Sequence, residues 1–144
     1  MRKHCRTGPD PSRDEAAALH VAKTNGTGLH RITAYGQADS RPGGSVRWSP
    51  DGTTILFAGQ DHHLYLVYPD GSALTKVNLP PGYANGPAWS PDGRWIIFSF
   101  WLTPHQSGGV AHLYRARPDG THLTAVSNGP NSDFLASWSR PPGT

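Results

Sequence analysis

The sequence predicts an all-β chain, a partial β-propeller of about 2.5 to 3 blades, each a four-stranded antiparallel sheet. Three observations predict it. The run Trp48-Ser49-Pro50-Asp51-Gly52-Thr53-Thr54-Ile55-Leu56-Phe57 returns 41 residues later as Trp89-Ser90-Pro91-Asp92-Gly93-Arg94-Trp95-Ile96-Ile97-Phe98. A second turn, Pro69-Asp70-Gly71, returns as Pro118-Asp119-Gly120. The 17 Gly and 14 Pro among 144 residues place turns so close together that the elements between them must be short.

Residues 1–15 hold Pro9, Pro11 and many charges without an apolar period, and read as a flexible leader. Three Ala precede Leu19, which suits a helix, but Leu19-His20-Val21 and then Asn25-Gly26 repeat the order of Leu64-Tyr65-Leu66 and Asp70-Gly71. The repeat outweighs local propensity, so 16–35 is read as a partial blade that supplies outer strands. A polar, Gly-rich connection spans 35–44. The first full blade is 46–77, with strands at 46–48, 54–58, 64–68 and 73–77. The next is 84–127, with strands at 84–89, 95–100, 111–116 and 123–126. Residues 132–139 read as the start of a further blade whose first strand is 134–138, and 140–144 as a tail. The total is about eleven strands.

Each repeated residue has a physical task. In Ser49-Pro50-Asp51-Gly52 and Ser90-Pro91-Asp92-Gly93, proline presets φ, Ser and Asp accept local N–H groups, and Gly takes the conformation that a side chain would strain. Pro69-Asp70-Gly71 and Pro118-Asp119-Gly120 do the same between third and fourth strands. These Asp residues are followed by Gly and have no cluster of further oxygen ligands, so turn formation is preferred to calcium binding or acid catalysis. Trp48, Trp89 and Trp138 recur at one blade position, which predicts packing between adjacent sheets. In 54–58, Thr54, Leu56 and Ala58 oppose Ile55 and Phe57. Two apolar faces predict a sheet stacked between two others.

The interval from Trp89 to Trp138 is 49 residues, and the added length falls at Thr103-Pro104-His105-Gln106-Ser107-Gly108-Gly109. A longer loop on a rigid scaffold is a candidate recognition element.

Composition limits function. A net charge of +3 with interspersed signs forms no basic patch, so neither nucleic acid binding nor membrane insertion is expected. The single Cys5 cannot form an internal disulfide. No nucleophile elbow or phosphate loop is present, and Ser49, Ser90 and Ser139 belong to the repeat. Of the eight His, only His62, His105 and His112 are nominated for a metal, and none has zinc-site spacing. No cofactor is expected. As it stands the sequence lacks a secretory signal and reads as cytoplasmic, or as periplasmic or extracellular if a signal precedes it.

Trp-Ser-Pro-Asp-Gly, an apolar strand ending in Phe, then Leu-Tyr and a second Asp-Gly turn resemble the TolB-like β-propeller repeat family over about residues 19–138. Related repeats also occur in propeller domains attached to peptidases. The resemblance implies export and a further N-terminal domain, neither of which is visible, and a ring of at least about four blades. The terminal Trp138-Ser139-Arg140-Pro141-Pro142-Gly143 also departs from the turn pattern. A segment of a longer propeller, a truncated frame and a self-associating part all fit, since two copies would supply about 22 strands. The function expected is a noncatalytic propeller segment that binds protein or acts as a scaffold. The alternatives are a segment associated with a peptidase or with a metal-dependent carbohydrate-active enzyme, and a remnant without activity of its own.

Overall fold

A computed structural model describes residues 17–38, 46–102, 109–134 and 136–139. The predicted leader and tail, Cys5, His105 and most of the inserted loop lie outside these residues.

Ten strands form three antiparallel sheets, with no helix among the described residues. β1 (His20–Val21) and β2 (His30–Arg31) pair as a two-stranded sheet. The middle sheet runs in sequence order: β3 (Val46–Trp48), β4 (Ile55–Ala58), β5 (Leu64–Val67) and β6 (Thr75–Lys76). A second four-stranded sheet holds β7 (Tyr83–Trp89), β8 (Ile96–Trp101), β9 (His112–Ala116) and β10 (Thr124–Ala125), again in sequence order. Successive hairpins of this kind are propeller blades. β7 carries Pro87 where the register shifts between Asn85 and Ala88. An edge strand with a bulge tolerates a residue that has no N–H.

The alternation along β4 separates two cores. Leu56 and Ala58 face the second sheet, where they join Leu64, Val77, Ile96, Phe98 and Phe100. Ile55 and Phe57 face the N-terminal sheet and pack with Ile32, Ala38 and Val67. The middle sheet is thus apolar on both faces because a sheet lies against each. Hydrogen bonds also cross between blades: Ala84 N–H donates to His62 O at 2.8 Å, and the Trp89 indole N–H to Arg47 O at 3.2 Å.

The structure departs from the sequence reading at two places. Residues 134–138 form no strand among those described, and Phe134 instead lies against Trp101 with ring centres 5.5 Å apart. A first strand needs a neighbour to complete its hydrogen bonds, and no described strand flanks this segment. Ala38, inside the predicted connection, is buried and bridges Ala17 and Gly59, so the connection contributes to the second core.

His30 couples the N-terminal sheet to the middle blade. Its Nδ1 lies 2.8 Å from Gly28 O and its Nε2 2.9 Å from Pro69 O. Both partners only accept, so the doubly protonated ring satisfies both and the neutral ring only one. These contacts, Gly28 first and Pro69 second, raise the His30 pKa above 6.5. A raised folded-state pKa gives stability that is fully present below 6.5 and is lost as pH rises through the higher folded value. The expected result is a gap in thermal midpoint between the native chain and His30→Gln that is widest in mild acid and closes as pH rises. A gap that does not change with pH would show that His30 acts only through its shape.

Candidate functional site

Strand direction puts the β3–β4, β5–β6, β7–β8 and β9–β10 turns at one end of the two blades. Between the blades at this end lies a cleft of about 480 Å³ lined by Ser49, Asp51, Thr54, Leu66, Trp89 and Asp92. It continues outward into a second hollow of about 460 Å³, reaching Tyr68, Lys76 and Asn78. Thr54, Leu66 and Pro118 border both.

The inner turns are superimposable in their bonding. Ser49 Oγ donates to Asp51 Oδ1 at 2.6 Å and accepts from Thr54 N–H at 2.9 Å, and Thr53 N–H reaches the same carboxylate oxygen at 3.0 Å. Ser90 Oγ, Asp92 Oδ1, Arg94 N–H and Trp95 N–H repeat these three bonds at 2.6, 3.0 and 2.9 Å. Gly52 N–H and Gly93 N–H close the turns on Ser49 O and Ser90 O at 2.9 Å. Pro50 and Pro91 occupy the second turn positions. In the outer turns, Asp70 Oδ1 accepts from Ser72 N–H and Oγ–H at 2.9 and 2.6 Å. Asp119 Oδ1 accepts from Thr121 N–H and Oγ1–H at 2.9 and 2.7 Å. Gly71 N–H and Gly120 N–H donate to Tyr68 O and Arg117 O at 2.8 Å.

This bonding sets the electrostatics. Asp51 and Asp92 are held below the ordinary carboxylate range first by the hydroxyls of Ser49 and Ser90. Asp70 and Asp119 are lowered first by the hydroxyls of Ser72 and Thr121. Each carboxylate remains ionised and is engaged by its own turn, which makes it a poor proton acceptor for a bound molecule. Ser49 and Ser90 direct their protons to Asp and have no His partner in these bonds, so neither is arranged as a nucleophile.

The three repeated tryptophans have different surroundings. Trp89 packs beside the inter-blade core. Trp48 is 48% exposed, against the expectation of packing between sheets. Trp89 rests on β3 of the preceding blade, whereas the described part of the sheet before Trp48 contains only β1 and β2. Trp138 is half-buried in a segment without a strand.

The nominated histidines do not converge. His62 lies in the β4–β5 turn with φ 60° and meets the Tyr83 ring edge-on at 5.2 Å. His112 opens β9, with Nδ1 3.7 Å from Asp133 Oδ2. Among the described residues, no three His, Cys, Asp or Glu side chains form a group able to hold a metal ion.

Two titratable groupings were not legible from spacing. At the end opposite the cleft, Tyr65 O–H donates to Asp61 Oδ2 at 2.6 Å, and His63 Nδ1 lies 3.2 Å from the same oxygen. Burial and the Asp61 carboxylate push the Tyr65 pKa up to about 12. For Asp61, burial acts upward, but the Tyr65 and His63 hydrogen bonds prevail and lower it. The Asp61 carboxylate and the Tyr65 proton therefore satisfy each other. Beyond β10, Ser127 Oγ donates directly to Asp133 Oδ2 at 2.6 Å and accepts the N–H of Leu113 on β9 at 2.9 Å. His112 does not stand between Ser127 and Asp133, so the order of a catalytic triad is absent. This set fastens the C-terminal segment to β9.

The fold and cleft define a β-propeller segment, and the comparisons agree. No family model matches the chain. It is similar to the Tol-Pal system protein TolB of Nitratidesulfovibrio vulgaris, with 41% identity over 51 residues, 33% of this chain and 12% of that protein. It is also similar to the uncharacterized peptidase YuxL of Bacillus subtilis, with 32% identity over 115 residues, 69% of this chain and 17% of the peptidase. Among solved structures, a TolB-like protein from Agrobacterium tumefaciens matches with a TM-score of 0.63 and 26% identity over 82% of this chain and 40% of that one. The chain thus spans less than a fifth of these two relatives and less than half of the solved protein. Among the described residues no helix is long and apolar enough to cross a membrane.

Proposed function

We propose that the chain is a noncatalytic β-propeller segment whose inter-blade cleft presents a binding surface to a protein partner. The observation that carries this reading is the engagement of each repeated carboxylate by its own turn, beside aromatic side chains left open at the same end of the sheets. Trp48 and Tyr68 are 48% and 49% exposed, and Trp89 borders the cleft. Trp and Tyr anchor many protein interfaces because they offer large contact areas at little conformational cost. The relative named for the Tol-Pal system supports a role in an assembly. The peptidase match supports a scaffold shared with an enzyme.

The test places a photo-crosslinking amino acid at position 68, and separately at position 61 on the opposite end. The expected result is capture of one protein species from position 68 and not from position 61. The purified partner should bind saturably, and Tyr68→Ala should weaken binding about tenfold, as expected for an interface anchor. Binding unchanged by Tyr68→Ala would overturn the cleft as the surface. Peptide hydrolysis by the purified chain would overturn the noncatalytic reading.

A further inference from the structure

The outward face of the second sheet carries cations where its repeat partner carries uncharged residues. Just before β4 and on β5, the face toward the next blade presents Thr54 and Leu66, and Leu66 packs against the inter-blade core. The repeat places Trp95 and Arg115 at the corresponding positions of the second blade, and Arg117 at that of Tyr68. Arg115 pairs with Ile97, and Arg117 lies one position beyond the Ile96–Ala116 pair, so strand alternation puts both on the face of Trp95.

The side chains meet there. The guanidinium carbons of Arg117 and Arg115 lie 4.0 and 4.8 Å from the centre of the Trp95 ring. Arg117 Nη1 also donates to Arg94 O at 3.2 Å. Stacking uses the face of a guanidinium and leaves its N–H edge available. Among the described residues no ion pair involves Arg115 or Arg117. Two positive charges are therefore gathered at one ring without an ion-pair partner among the described residues. At the far end of this face, Phe134 of the C-terminal segment lies against Trp101.

We propose that Arg115, Arg117 and Trp95 form a carboxylate-binding clamp that takes an acidic peptide segment of a protein partner. Carboxylates match the fork of N–H donors on each guanidinium, and the ring keeps both forks oriented before binding. A partner with spaced Glu or Asp side chains supplies the missing charge, and alternating peptide side chains can reach two anchors on one sheet face. The clamp rests on the proposed binding role only for the choice of a polypeptide ligand. It lies on a different surface from the cleft, and its test uses a peptide alone, so either proposal can fail without the other.

The probe is hexaglutamate, titrated into the whole chain labelled with ¹⁵N. The readout is the Trp95 indole N–H resonance, assigned by its loss in Trp95→Phe. The expected result is a saturable shift that hexaglutamine does not produce. Arg115→Gln and Arg117→Gln should each weaken binding about tenfold, in line with loss of a charge-assisted bidentate pair. The other four Trp resonances should stay dispersed, showing that the variants are folded. No saturable shift, or one that survives both substitutions, overturns the clamp. Inorganic phosphate binding as tightly as hexaglutamate overturns the assignment to an acidic peptide.

Discussion

Phe98→Ala is expected to destabilise the chain by about 3–5 kcal/mol, the usual cost of removing a fully buried aromatic ring. Phe98 is completely buried on β8, edge-on to Phe100 with ring centres 5.8 Å apart, in the core shared by both blades. The cost combines lost transfer energy with the cavity left between two sheets whose backbones are tied to each other and cannot close inward. A domain of this size has a net stability of about 5–15 kcal/mol, so the loss would take a large part of it. Urea unfolding followed by circular dichroism measures the change. A loss below about 1 kcal/mol would mean that the blades do not share a core in solution.

Phe57 is the informative comparison. It is equally buried, but it points to the other side of the middle sheet and stacks on Tyr65 at 5.5 Å. The two Phe residues occupy matching repeat positions, yet each serves the core on the preceding side of its own blade. That relationship was legible in the sequence as alternation within 54–58 and 95–100, because strand periodicity alone assigns the faces. The turns were legible for a similar reason, since Ser, Asp and Gly act over a few residues. The cleft was not, because it is formed by two turns 41 residues apart in sequence, and only blade stacking brings Ser49 and Asp92 to one hollow. The clamp at Trp95 was missed in the same way. Arg115 and Arg117 depart from the repeat at positions whose facing direction needs the register with β8. Trp48 shows the converse, in that a repeated residue predicts a repeated environment only when the neighbouring blade is also repeated.

Glycine positions give the second large effect, and they separate turn geometry from blade contact. Gly52, Gly71 and Gly120 all adopt positive φ, at 72°, 84° and 90°. Alanine at any of them meets the left-handed penalty of about 1–2 kcal/mol. Their surroundings differ. A Cβ at position 52 would have nothing within 4 Å. At position 71 it would sit 3.1 Å from Ile32 O of the preceding sheet, which a small backbone shift can relieve. At position 120 it would fall 2.1 Å from Asn78 O and 2.6 Å from Asn78 C, atoms of the preceding blade's backbone that no rotamer change can move. Gly120→Ala must therefore pry the outer ends of the two blades apart, adding an overpacking cost of about 1–3 kcal/mol to the conformational one. The expected order of destabilisation is Gly120→Ala, then Gly71→Ala, then Gly52→Ala. Equal losses at positions 52 and 120 would show that the outer turn does not press on the preceding blade, and the rigid spacing that keeps the cleft open would then have to come from the cores alone.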